Sequence, residues 1–212
     1  MAQNMASGAS SLAGVRAVLS VFLVAAAAAS AAASTPAPTA APSSSKSYTV
    51  EEACKQAASG LHDLCVATLS SSSKAATASS STTSTTAAAL AQAAIQAAQR
   101  NASETATYLS SIYDDDSLEN KTAQLQQCLE DCGERYESAV EQLSDAASAV
   151  GSGAYSESEA LVAAGQAEVK LCQRGCQAVP EHRNILTARN REVDQLCSIA
   201  IAITKLIRGP PE

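Results

Sequence analysis

Residues 121–150, KTAQLQQCLEDCGERYESAVEQLSDAASAV, decide the fold. Leu125, Cys128, Cys132, Tyr136, Ala139, Leu143, Ala146 and Val150 recur at steps of three and four throughout. That spacing aligns side chains along one face of an α-helix. Gly151-Ser152-Gly153 follows at once, and glycine supplies the φ > 0 freedom that ends a helix.

Outward from this segment the same period returns three times. Residues 87–113 place Ala91, Ile95, Ala98, Ala102, Leu109 and Ile112 on one face, and Tyr113-Asp114-Asp115-Asp116-Ser117 closes them with a polar, anionic turn. Residues 157–179 carry a weaker stripe of Leu161, Ala164, Leu171, Cys172, Gly175 and Cys176. Pro180 stops it, because proline lacks the donor a helix interior needs. Residues 184–207 give Leu186, Val193, Leu196, Ala200, Ile203 and Ile207. No segment alternates with period two. Four amphipathic helices on short connections predict an all-α, antiparallel up-down four-helix bundle. Two shorter helices, about 49–58 and 61–70, precede it as a helical hairpin. The Ser/Thr/Ala tract from Ser70 to Thr86 reads as a loop within the domain.

The ends and the composition set the compartment. The first fifty residues hold no Asp or Glu, and Arg16 precedes an uncharged apolar run from Ala17 to Ala29 that small residues follow. This is the layout of a secretory signal peptide over residues 1–33, cleaved near Ala33. Residues 34–47, rich in Pro, Ala, Ser and Thr, form a disordered spacer, leaving 48–208 as the folded domain. No later apolar run reaches the roughly 20 residues of a membrane span, so no membrane association is expected after cleavage. The mature chain carries 13 basic and 21 acidic residues, net −8. Such a chain is ill suited to nucleic acid, whose phosphates need Lys and Arg, and well suited to a basic protein partner. Phe22 leaves with the signal and there is no Trp, so five Tyr and many Ala, Leu, Ile and Val must build the core. An Ala-rich core buries little area per residue, and seven cysteines in an oxidising compartment can offset that.

Cys128 and Cys132 stand one helical turn apart, as do Cys172 and Cys176. If their helices are antiparallel neighbours, advance along one is retreat along the other. The geometry then allows rungs Cys132–Cys172 and Cys128–Cys176 and disfavours the crossed pairing. Cys54 and Cys65 are near enough for a local bridge between the two short helices. Cys197 is left as a buried thiol on the apolar side of the last helix.

These residues resemble the plant invertase and pectin methylesterase inhibitors across roughly residues 48 to 208. The likeness lies in Cys54-Lys55-Gln56 through Leu64-Cys65 and Leu69; in Cys132 to Leu143, with Tyr136, Ala139 and Val140 in step; in Ala163-Ala164-Gly165 through Cys172; and in Ile201-Ala202-Ile203-Thr204-Lys205-Leu206. The resemblance implies bridges Cys54–Cys65 and Cys132–Cys172, the second being a rung that helix direction also selects; Cys128 and Cys176 depart from the basic pattern. A bridge closing about forty residues stabilises by ~4 kcal/mol in the chain-entropy model and the local one by ~3, while a second rung beside the first adds much less.

Other chemistry is poorly supplied. Two C-x3-C units could hold zinc in a reducing compartment; behind a signal peptide disulfides are favoured. His62 and His182 are the chain's histidines, and neither stands beside a nucleophile motif. Asp114, Asp115 and Asp116 lack the glycine and terminal Glu of an EF-hand. No catalytic residue, metal or cofactor is expected. Asn101-Ala102-Ser103 and Asn120-Lys121-Thr122 are N-glycosylation candidates, Asn120 the better placed.

The resemblance further implies a secreted, apoplastic inhibitor that covers the cleft of a cell-wall enzyme. The partner is a pectin methylesterase, many of which are basic, or an acid invertase, of the cell wall or vacuole. Invertase inhibitors of this family can insert a Pro-Lys-Phe tooth between the second and third bundle helices. The matching stretch here, Gly153-Ala154-Tyr155, keeps an aromatic but neither the proline nor the lysine. That favours the pectin methylesterase. A structural wall glycoprotein without inhibitory activity is the reading from another class.

Overall fold

A computed structural model describes residues 46–76, 84–114, 121–180 and 186–208. The expected leader and nearly all of the spacer, with Asp115, Asp116, Asn120 and His182, lie outside the described residues.

The deciding segment folds as α4, Ala123–Gly151. All eight residues of its apolar stripe are buried. Thr122 caps the start, its hydroxyl accepting from the Leu125 amide at 3.1 Å. At the other end Gly153 sits at φ 79°, with Ala154 N–H bonding Ala149 O at 2.8 Å and Gly153 N–H bonding Val150 O at 3.1 Å. This crossed pair satisfies carbonyls the helix leaves open and reverses the chain within three residues.

The helix before it, α3, runs Ala87–Tyr113, capped by the Thr86 hydroxyl. Its core face is mostly alanine: Ala91, Ala94, Ala98 and Ala102 are buried beside Ile95 and Leu109. After α4 come α5, Tyr155–Gly175, and α6, Thr187–Arg208. Each helix packs against two others, α3 on α4 and α6, and α5 on α4 and α6, closing an up-down ring. The four-helix architecture expected from the periodicity is the one observed.

Helix α5 differs from its sequence reading in phase. The buried line is Ser158, Val162, Gly165, Val169, Cys172 and Cys176, while Leu161 is only half-buried, Ala164 is exposed and Leu171 is 38 % exposed. Small residues took the inside because α5 lies very close to α4. A Cβ on Gly165 would stand 3.2 Å from Ala139 O and 3.3 Å from Leu143 Cγ. Buried Ser158 also belongs inside, its hydroxyl donating to Ala146 O at 2.9 Å. Nor does Pro180 end this helix. Cys176 caps it, with its sulfur tied back to α4, and the chain is already turning at residues 176–178.

Ahead of the bundle stand α1, Val50–Ala57, a 3-10 turn, Ser59–Leu61, and α2, His62–Ala76. Thr49 and Glu52 form a capping box on α1. The Thr49 backbone and side-chain donors hold the exposed Glu52 carboxyl below its ordinary value. Residues 70–76, read as loop, continue α2 instead. Serine costs a propagating helix only a few tenths of a kcal/mol (~0.5) per residue, too little to stop it. Thr85 and Thr86, from the same tract, pair antiparallel with Tyr48 and Ser47. A two-residue ladder has no periodicity to read. It anchors the chain at Ser47, one residue inside the expected spacer. Helix α1 rests on α6 and α2 on α3.

The core is aliphatic around one aromatic, Tyr136, fully buried with Leu129, Leu143, Ile95, Ile199 and Ile203. A buried hydroxyl needs a partner. Tyr136 donates to Asn190 Oδ1 on α6 at 2.7 Å, and the Asn190 amide points at Cys172 Sγ, 3.7 Å away. One buried asparagine thus joins α4, α5 and α6.

Candidate interaction surface

Helices α4 and α5 are tied to each other by two disulfides. Cys128 is bonded to Cys176 and Cys132 to Cys172, the Cα atoms 5.4 and 4.8 Å apart. Cys54 is bonded to Cys65, joining α1 to α2. The two rungs lie against each other, Cys132 Sγ being 3.4 Å from Cys176 Sγ. Paired in this way the sulfurs are not thiolate ligands. Cys197 is a free, fully buried thiol. Burial, then the nearby Asp194 charge, pushes it up to about 12, Lys170 opposing. Burial likewise raises the Tyr136 phenol above its ordinary range.

Ion pairs tie α5 to its neighbours. Arg135 reaches Glu168 at 2.9 Å, Lys170 reaches Asp194 at 3.2 Å, and Glu159 takes both Lys205, at 3.3 Å, and Arg208. The outer side of α4 is the opposite case. Glu130, Glu134, Glu137, Glu141 and Asp145 step by three and four along its solvent face, over about 22 Å at 1.5 Å per residue. None of these five carboxylates forms an ion pair among the described residues. The one basic residue of α4, Arg135, is directed to Glu168. Sequence reasoning missed this stripe, although it is the polar complement of the apolar one and has the same spacing.

Beside the acidic stripe a cleft of about 480 Å³ opens between α4 and α5. Glu134 and Arg135 form one wall and Leu171 and Arg174 the other, with Cys132 and Cys172 at its base. Leu171, the exposed leucine of α5, stands here.

The remaining candidates are scattered. Gly153 and Ala154 make the α4–α5 turn, and Tyr155 is the first residue of α5, half-buried and packed on the core. His62 sits on the N-terminal hairpin with its ring nitrogens 3.1 Å from Glu51 and 3.3 Å from Asp63, at the start of α2, the helix that rests on α3. Asp114 is exposed, with the Ser110 hydroxyl 3.4 Å away. Asn101 lies mid-helix in α3, half-buried, and donates its amide to Glu192 on α6 at 2.9 Å. That amide is already used within the fold. No described helix is long and apolar enough to cross a membrane.

A family model described as plant invertase/pectin methylesterase inhibitor matches residues 48–203. The solved structure of a pectin methylesterase inhibitor from Arabidopsis thaliana is 20 % identical, with TM-score 0.54, covering 77 % of this chain and 97 % of that one. A mutant form of an Arabidopsis pectin methylesterase inhibitor is also 20 % identical, with TM-score 0.57, covering 71 % and 91 %. At that identity the structures speak for the fold alone. No curated protein sequence matches significantly. The family match spans both the N-terminal hairpin and the bundle, and the chain belongs to the plant invertase/pectin methylesterase inhibitor family, a family of inhibitors rather than enzymes.

Proposed function

We propose that the protein is a secreted, stoichiometric inhibitor of a plant pectin methylesterase, docking the α4–α5 hairpin over the enzyme's cleft. The acidic face of α4, unpaired among the described residues, carries this reading. Such a row of carboxylates is complementary to a basic enzyme surface, where it speeds encounter and fixes orientation. Helix α4 is about 43 Å long, and with α5 beside it offers a face about 20 Å wide. That is enough for the roughly 800 Å² per partner of a specific interface. Two rungs and the Gly165 contact mean the helices lose little freedom on binding, so less of the interaction energy offsets ordering.

The invertase reading is weaker on a specific point. Gly153-Ala154-Tyr155 lacks the proline and lysine of the invertase tooth, and Tyr155 packs on the core. On the same reading residues 1–33 are removed on secretion to the apoplast, and the spacer that follows leads into the folded domain, which the ladder opens at Ser47. Titration of the oxidised protein into a plant pectin methylesterase and an acid invertase at acidic pH tests the target. We expect a linear loss of methylesterase activity ending near one equivalent, with invertase unaffected. Loss of invertase activity alone reverses the assignment, and no loss of either leaves a structural wall protein.

A further inference from the structure

We propose that the four bundle cysteines, once reduced, form a binding site for one Zn²⁺ ion that replaces the two rungs. Four cysteines converge at one level of the α4–α5 hairpin. Each helix presents a C-x3-C pair on the inner face, and the Cα atoms across the gap stand 4.8 and 5.4 Å apart. The Sγ atoms of Cys128, Cys132 and Cys176 lie within 4.8 Å of one another, and Cys172 Sγ is bonded to the second of them. In a tetrahedral Zn(Cys)4 centre, with Zn–S near 2.3 Å, the sulfurs are about 3.8 Å apart. Cys132 and Cys176 already approach that separation at 3.4 Å, without a bond between them. Breaking the two S–S bonds lets the other sulfurs part by side-chain rotation, with both helices in place.

The surroundings suit the ion. The cleft between α4 and α5 has Cys132 and Cys172 at its base, so reductant and metal have a path from solvent. Arg135 and Arg174 line the cleft together with Asp131 and Glu134, and Arg135 is paired with Glu168, so Arg174 is the lining cation left to favour thiolates among the described residues. The buried Asn190 amide, 3.7 Å from Cys172 Sγ, is an outer-shell donor already aimed at a ligand sulfur. The electron balance is simple. Two dithiol molecules reduce the two disulfides, each ending as a cyclic disulfide and leaving four protein thiols. Zn²⁺ then binds four thiolates and releases four protons. Two molecules of the cyclic disulfide, taking four electrons and four protons, run the sequence backwards, re-form both rungs and expel the ion.

The test uses the full chain, reduced with a dithiol, freed of it under argon and titrated with Co²⁺ and then Zn²⁺. We expect one ion per chain, the visible absorption of tetrahedral thiolate-bound Co²⁺, and its loss when Zn²⁺ displaces the cobalt. Cys128→Ser with Cys176→Ser should weaken binding at least about a hundredfold, since even outer-shell partners are worth 10–100-fold. Cys54→Ser, Cys65→Ser and Cys197→Ser together should leave binding unchanged. If reduction melts the hairpin, Zn²⁺ should restore the helical circular dichroism signal. No uptake by the reduced chain, or uptake that the Cys128/Cys176 variant retains, overturns the site.

Discussion

The two rungs should protect each other, and the size of that effect follows from loop lengths. Cys132–Cys172 closes 40 residues and, alone, stabilises by ~3.9 kcal/mol in the chain-entropy model. Cys128–Cys176 closes 48 and, alone, stabilises by ~4.1 kcal/mol. Once either exists, the other closes only the two four-residue arms between them, an increment of ~2.3–2.5 kcal/mol. Replacing Cys128 and Cys176 by Ala should therefore cost about 2.5 kcal/mol, and replacing Cys132 and Cys172 about 2.3. Replacing all four should cost ~6.4 kcal/mol, which exceeds the two single-rung losses added together by ~1.6. Urea unfolding without reductant, followed by circular dichroism, measures all four proteins. Single-rung losses that add up to the four-cysteine loss would refute nested loop closure. A single-rung variant as unstable as the four-cysteine one would refute the pairing itself.

Glycines on the two helices should respond oppositely. Gly133→Ala, with open space where the Cβ would go, should raise stability by ~1 kcal/mol through helix propensity. Gly165→Ala gains the same propensity but pushes on a backbone oxygen that cannot rotate away, and should lower the unfolding free energy from urea titration by ~1 kcal/mol net. Asn190→Leu strands the Tyr136 hydroxyl in the core and should cost ~2 kcal/mol, of which adding Tyr136→Phe recovers a large part in a double-mutant cycle. The Cys197 thiol, held near 12 in the fold against an ordinary 9.0, keeps its proton where the unfolded chain releases it. Its contribution is intact below pH 9 and is lost as pH rises toward 12, so Cys197→Ala should flatten the early part of the alkaline stability loss.

What was legible in the sequence was whatever packing made periodic. Helix α4 showed eight of its ten buried positions, because Leu, Tyr, Cys and Ala alternate there with Glu and Gln; Leu129 and Ala149, on the flanks of the stripe, were not read. Helix α5 did not, because its contact with α4 selects for small size. Ser158 and Gly165 are inside for reasons hydrophobicity does not record, while Leu161 and Leu171 sit on the flank or in the cleft. The pairing of Ser47–Tyr48 with Thr85–Thr86 was invisible because it joins residues far apart in sequence over one short ladder. Asn190 was missed for a related reason, since a lone polar residue on an apolar stripe looks like an interruption until Tyr136 is found opposite. The acidic stripe was readable and unread. Its spacing matches that of the core face, but what marks it as a candidate surface is the absence of ion pairs along it among the described residues, which only coordinates reveal.

The most direct test is the affinity for pectin methylesterase of a chain carrying Glu130→Gln, Glu134→Gln, Glu137→Gln and Glu141→Gln. These side chains face solvent and leave the core untouched, so the melting temperature should hold. We expect the Kd to rise about tenfold or more at low salt, mostly through slower association, with the difference shrinking as salt is added. An unchanged Kd at every salt concentration, in a protein that still inhibits, would place the enzyme on another face of the bundle.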